Sequence, residues 1–267
     1  MRRANRLSIL LIHVLSLCLI SEVLCIDAFS QTLNGFHYVR TYGDPNHAIY
    51  DARHQHIFIS VPRMNEVVVV STIDGSIVSR LDIRSASCLD LSPDGTRLYV
   101  TGGGAGWVAA EGITVVDLDT LKVSDYILPT LAGNSQYPGF IEDHTVPRSM
   151  AAMKNGKIFY SADEQGTSSW TLFEYNSATG IATVRLPPGG SILEEELRKS
   201  PDGSRFMLWQ YMGPLHVWVY ESDSDSYVAV TNMADFTDAV FSPDGNRILI
   251  DGHILFDNRL NKIADLQ

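Results

Sequence analysis

Beyond residue 43 the apolar positions fall into short runs separated by polar turns, and the runs return in a fixed order. Three of the turns are identical: Ser92-Pro93-Asp94-Gly95, Ser200-Pro201-Asp202-Gly203 and Ser242-Pro243-Asp244-Gly245. Each is followed by one variable residue, an arginine and a strand-like run: Leu98-Tyr99-Val100, Phe206-Met207-Leu208 and Ile248-Leu249-Ile250. Ser first, Pro second and Gly fourth suit a type I turn, because Pro presets φ and Gly tolerates the exit. The pattern predicts hairpins. Helical spacing is scarce, and Ile192 to Leu197, the one short candidate, reads as loop running into strand.

Aligning the turn glycines brings out two degenerate copies. Met153-Lys154-Asn155-Gly156 precedes Ile158-Phe159-Tyr160, and Asp51-Ala52-Arg53-His54 precedes Ile57-Phe58-Ile59. The equivalent positions are then 54, 95, 156, 203 and 245, with separations of 41, 61, 47 and 42. Each unit continues into a strongly apolar second strand (Val67 to Val70, Ile113 to Val116, Trp170 to Tyr175, Val217 to Tyr220, Ile254 to Phe256), a polar turn and a more alternating strand. Counting the strand before the main turn, each unit carries four strands. Units of about 40–50 residues with four short strands have the period of β-propeller blades. The predicted fold is all-β: a propeller of four-stranded blades, about five of them present.

Tyr99-Val100-Thr101-Gly102 after the Ser-Pro-Asp-Gly turn, with Ile113-Thr114-Val115-Val116-Asp117-Leu118-Asp119-Thr120 downstream, resembles the YVTN family of bacterial β-propeller repeats. The wider class is the WD-like propellers that share the turn. The resemblance spans residues 44–267 and is specific for fold, not for activity. Gly102 stands where the family pattern has Asn, and the turns at 51–54 and 153–156 lack Pro. Related propellers have six to eight blades, so five units imply either direct closure or an incomplete ring. An open end would expose a strand edge, which proteins avoid, and that favours the front part of a longer propeller. Residues 31–43 hold an extra strand, Phe36 to Tyr42, of the kind that clasps the last blade in closed rings.

Residues 1–30 have a different character. Arg2, Arg3 and Arg6 lead into an apolar stretch from Leu7 to Ile20, and Ala28-Phe29-Ser30 gives a small-x-small exit. That order is a secretory signal peptide with cleavage after Ser30. The alternative, a retained anchor, is opposed by His13 and Glu22, since about 20 apolar residues are needed to span a bilayer. The expected product is exported: periplasmic, secreted or at the cell surface, with no membrane attachment after cleavage. Residues 31–267 hold 17 Lys and Arg against 29 Asp and Glu, which argues against nucleic acid as a partner. Cys88 is the one cysteine left after cleavage, so no internal disulfide forms, and its apolar flanks predict a packed thiol.

Candidate chemistry follows from the repeat. The first strand of each blade lines the central channel, and register with Cys88 places His47, Cys88, Ser149, Glu196 and Asp238 at the funnel. One residue earlier come Asn46, Ser87, Arg148, Glu195 and Thr237. His47, Arg148, Glu195, Glu196 and Asp238 are therefore the candidate ligand-binding residues. Propeller lactonases hold a divalent cation in such a funnel through acid and amide oxygens, and Glu196, Asp238 and Asn46 are the residues that would supply them. His54-Gln55-His56 lies on a tight turn where both imidazoles are expected to be solvated, with no third metal ligand placed by spacing. Trp107, Tyr137 and His144 sit on long loops, where binding residues concentrate on rigid scaffolds. Gly102-Gly103-Gly104-Ala105-Gly106 lacks the following helix that a phosphate cradle needs. No sequence motif designates a catalytic residue, a metal or a cofactor. The expected function is a recognition or scaffold module whose loops at 102–111, 131–147 and 162–169 meet a protein or glycan partner. The rival readings are a lactonase-like propeller hydrolase and a fragment of a longer surface protein.

Overall fold

The computed structural model describes residues 31–33, 36–102, 112–127, 130–131, 145–164, 169–189, 192–193, 195–210, 215–233 and 238–266. Five antiparallel blades of four strands follow one another along the chain, and no α-helix occurs among the described residues. Blade 1 comprises His47–Asp51, His56–Val61, Glu66–Ser71 and Ile77–Asp82; blade 2 comprises Ala86–Leu91, Arg97–Gly102, Ile113–Asp117 and Lys122–Ile127. Blade 3 is built from Thr145–Ala152, Lys157–Glu164, Ser169–Asn176 and Ile181–Val184. It carries two short additions, Thr130–Leu131 parallel to its outer strand and Ile192–Leu193 on its third. Blade 4 takes Glu195–Lys199, Arg205–Gln210, Leu215–Glu221 and Ser226–Met233; blade 5 takes Ala239–Phe241, Arg247–Ile250, Ile254–Asp257 and Lys262–Asp265. Phe36–Tyr38 pairs with Gln31–Leu33 in a separate two-stranded sheet.

The repeated turn has a physical basis. Ser92 Oγ donates to Asp94 Oδ1 at 2.5 Å and accepts the Arg97 amide at 2.9 Å, while Gly95 N reaches Ser92 O at 2.9 Å. The same three contacts recur around Ser200 and Ser242. Gly95, Gly203 and Gly245 have φ of +66°, +67° and +67°, a left-handed conformation that glycine adopts without a Cβ penalty. In blade 1, Asp51 Oδ1 takes the place of the serine and accepts the Arg53 amide at 2.9 Å. The left-handed residue there is Gln55 (φ +56°), one position beyond the His54 that aligns with glycine.

Alternation along each strand gives every blade two apolar faces, and consecutive blades bury them against each other. Phe58, Val67 and Val69 of blade 1 meet Leu89, Leu98, Val100 and Val116 of blade 2. Cys88 and Ile113 meet Met150 and Ile158 of blade 3, so the thiol is packed as expected. Phe159 of blade 3 joins Phe206 and Tyr220 of blade 4, with ring centroids 4.7–4.8 Å apart. Met207, Trp209, Val217 and Val219 cover Phe241, Ile248 and Ile250 of blade 5. No apolar cluster of described residues joins blade 5 to blade 1.

Candidate functional site

The inner strands of blades 1 to 4 converge on a cavity of about 450 Å³ lined by Asn46, His47, Ser87, Cys88, Ser149, Met150, Glu196, Leu197 and Arg198. Period-2 geometry sets which side chains arrive there: the same position of successive inner strands repeats around the axis. Of the register His47, Cys88, Ser149, Glu196 and Asp238, the first four line this cavity and Asp238 does not. Asp238 reaches the same locality through Arg198, whose Nη2 lies 3.8 Å from Asp238 Oδ1. Arg148 and Glu195 lie on the inner strands of blades 3 and 4. Trp107, Tyr137 and His144 lie outside the described residues.

One side of the funnel is a polar web. His47 N donates to Ser60 Oγ at 3.0 Å, and Ser60 Oγ donates to Ser87 O at 2.6 Å. Asn46 Nδ2 reaches Ser87 Oγ at 3.1 Å, and Ser149 and Ser161 hydroxyls meet at 2.9 Å. The Leu89 amide donates to His47 Nδ1 at 3.0 Å, so the ring proton resides on Nε2. Burial holds the His47 pKa below the ordinary histidine value, with the Arg198 charge next in size, against the pull of Asp90 and Glu196. His47 is thus a neutral imidazole at physiological pH.

The other side is organised by Arg198, which the sequence analysis did not single out. Its Nη2 pairs with Glu196 and approaches Asp238, its Nη1 donates to Leu197 O at 3.3 Å, and its guanidinium lies 5.5 Å from the centroid of the Trp209 ring. Both acids that a divalent cation would need are therefore turned toward a guanidinium. Asp238 Oδ1 also accepts the Ala239 amide at 2.8 Å. Among the described residues no three His, Cys, Asp or Glu side chains come together as metal ligands. This donor set does not fit a hard cation, which takes six to eight oxygens.

Beneath the funnel a second cavity of about 890 Å³ shares His47, Met150, Leu197 and Arg198 with it. Its wall is charged. Lys199 Nζ lies 2.7 Å from Asp90 Oδ2 and 2.5 Å from Leu91 O, and Asp90 Oδ2 also accepts the Ala152 amide at 2.5 Å. Three blades meet at one carboxylate oxygen.

His54 departs from expectation. Its Nδ1 is 2.6 Å from Asp51 Oδ2 and its Nε2 is 2.9 Å from Asp119 Oδ1 on the outer turn of blade 2. The hydrogen bond to Asp119 is the largest influence, and with Asp51 it raises the His54 pKa above the ordinary value against partial burial. The imidazole is an inter-blade tie and not solvated turn filler. His56 beside it is half-buried, with its ring centroid 6.2 Å from those of both His54 and Phe58.

Comparison with known proteins gives the fold. No family model and no curated protein matches the chain. Solved structures do. A gluconolactonase from Xanthomonas campestris aligns with 83% of this chain and 75% of its own at TM-score 0.56 and 12% identity. The calcium-binding protein regucalcin from Agrobacterium tumefaciens aligns over 82% and 72% at TM-score 0.54 and 13% identity. The β-propeller domain of Cps50 (Swd1) from Myceliophteria thermophila aligns over 82% and 66% at TM-score 0.53 and 10% identity. With its five four-stranded sheets, the chain is a β-propeller protein. At these identities the likeness defines architecture alone.

Proposed function

We propose that this chain is an exported propeller of the YVTN type that serves as a recognition or scaffold module for a protein or glycan partner. Export rests on the basic, apolar and small-residue order of residues 1–30. The family assignment rests on the Tyr99-Val100-Thr101-Gly102 and Ser-Pro-Asp-Gly elements. The observation that favours recognition over hydrolysis is Arg198 standing between Glu196 and Asp238. A lactonase-like mechanism needs those carboxylates on a cation that polarises the substrate carbonyl. Here Glu196 is paired with Arg198 and the exposed Asp238 lies 3.8 Å from the same guanidinium, and the rest of the funnel offers hydroxyls, an amide and a neutral imidazole, groups suited to hydrogen-bonding a polar surface.

The test is a paired measurement on protein recovered from an exporting host. Lactone hydrolysis is assayed with and without calcium, and binding is screened on glycan and peptide arrays. The expected result is binding without calcium-dependent turnover, with an N-terminus at Gln31. Calcium-dependent hydrolysis of a lactone would replace this reading with the hydrolase.

A further inference from the structure

Blade 1 has two apolar faces, and only one of them packs on another blade. Phe58, Val67 and Val69 meet blade 2, whereas Val61, Val68 and Val70 lie in a separate cluster that contains no residue of another blade. These three valines are nevertheless 0%, 0% and 5% exposed. The chain covers them with its own N-terminal segment. Val39 joins the cluster together with Ile57, Ile59 and Ile77. Four residues on, Gly43 lies so close that a Cβ would stand 2.9 Å from both Val61 Cγ1 and Met64 Cγ.

Side-chain contact, not strand pairing, holds this segment down. Among the described residues no backbone–backbone hydrogen bond joins residues 39–44 to blade 1, and the first such bond comes at Asn46, whose N lies 3.0 Å from Ser60 O. Arg80 acts as a clip. Its Nη2 donates to Arg40 O at 3.0 Å, its Nη1 to Glu66 Oε1 at 2.6 Å, and its guanidinium lies 5.3 Å from the centroid of the Tyr42 ring. The Arg40 guanidinium lies 5.0 Å from the same ring, a second cation–π contact. Arg63 and Asp44 approach to 3.4 Å but are 77% and 87% exposed, so their pairing adds little. Tyr42 is left-handed, with φ of +60°, a conformation that an L-residue keeps only where its surroundings impose it.

We infer that residues 39–44 form a displaceable strap, a conformational device that closes the free apolar face of blade 1 and opens as a unit while the sheet beneath stays paired. Three features distinguish it from a strand of the blade: apolar burial beneath it, no backbone pairing to it, and a strained residue at its centre. Lifting the strap uncovers Val61, Val68 and Val70 but leaves the ladder intact, since Val68 pairs with Ile59 and Arg80, and Val70 with Ile57 and Ile77. Such local opening differs from unfolding of the whole chain and is measured separately from it.

Thiol labelling of the whole chain tests this. Val68→Cys places a reporter under the strap, and the native Cys88, packed between blades 2 and 3, reports opening of the entire fold. Val39→Asp removes the apolar anchor, and the loss of one packed valine should speed labelling of the Val68→Cys thiol by roughly tenfold or more, with Cys88 unchanged. Gly43→Ala carries the same test with a smaller change at the other end of the strap. An excess of a synthetic peptide with the sequence of residues 36–46 should slow labelling again in the Val39→Asp chain, and the same peptide bearing Val39→Asp should not. Labelling of both thiols at one rate overturns the inference, because the face would then open only with the fold. So does a Val68→Cys thiol that neither substitution exposes. Failure of the native peptide to restore protection overturns it as well, since Val39 would then be an integral part of blade 1 and not a removable cover.

Discussion

Lys199 and Asp90, 109 residues apart in sequence, form an ion pair of 2.7 Å across the central channel, joining blade 4 to blade 2. The side chains are 12% and 6% exposed, and the carboxylate also holds the Ala152 amide of blade 3. Two opposed charges so little exposed gain from each other, yet each has lost most of its water. Removing one partner leaves the other buried without compensation, at a cost of about 3–5 kcal/mol. Lys199→Met is therefore expected to lower the urea midpoint strongly. The double variant Lys199→Met, Asp90→Leu should recover part of the loss, limited by the orphaned Ala152 amide. Equal midpoints for the single variant and the wild type would show that the pair is solvated.

The tie between His54, Asp51 and Asp119 makes the junction of blades 1 and 2 dependent on pH. Both ring nitrogens meet carboxylate oxygens, so the tie is complete only when the imidazole carries both protons. The folded pKa lies above the unfolded value of about 6.5. Its stabilisation is present in full below that unfolded value and is lost as pH rises through the raised folded one. His47 has the opposite sign: its lowered pKa makes the folded state lose stability as pH falls below the unfolded value. The urea midpoint should therefore decline on both sides of an optimum. His54→Gln should abolish the alkaline decline and leave the acid one. An unchanged alkaline limb in that variant would remove His54 from the account.

Two glycines with nearly the same dihedral separate backbone strain from packing. Gly180 (φ +71°) has nothing within 4 Å of where a Cβ would stand, whereas at Gly203 (φ +67°) a Cβ would lie 2.5 Å from Pro93 Cγ and 3.4 Å from Ala152 O. Gly180→Ala should cost about 1–2 kcal/mol, the ordinary penalty of a left-handed L-residue. Gly203→Ala should cost clearly more, because the repeated turns of blades 2 and 4 must move apart. Chemical denaturation of the two variants side by side measures the difference, and equal losses would mean the contact between turns carries no energy.

The fold was legible because its determinants are local. Ser92, Ser200 and Ser242 each build their turn from atoms within five residues, and alternation within a strand decides which side chains face a neighbouring blade. The funnel register followed from the same period, which is why His47, Cys88, Ser149 and Glu196 meet. What the sequence concealed depends on distant pairings. Arg198 reads as an ordinary strand charge until Asp238 and Trp209 come into reach from neighbouring strands. Asp119 lies 65 residues from His54, so the turn histidine looked solvated. A usable signal did exist for Arg198, since it occupies the same repeat position as Asp90 and Val240, the one that faces forward into the next blade.

That position gives Arg198 its last consequence. It pairs with Glu196, which lines the funnel, lies 3.8 Å from the exposed Asp238, and has Trp209 beneath its guanidinium. Removing the cation leaves the Glu196 carboxylate facing a polar cavity that also holds Asn46, Ser87 and Ser149, with the largely exposed Asp238 carboxylate nearby. A few oxygens without a rigid cage give weak sites, about 10⁻⁴–10⁻³ M for calcium in extracellular modules. Arg198→Ala should therefore gain millimolar calcium binding, seen as a rise in melting temperature with added calcium, while the wild type shows none. The gain should vanish in Arg198→Ala, Glu196→Gln, which separates a site at the funnel from calcium held elsewhere on the acidic surface. If the wild type is itself stabilised by calcium in a manner that Glu196→Gln removes, then Arg198 does not neutralise the funnel acids and the hydrolase reading regains its cation.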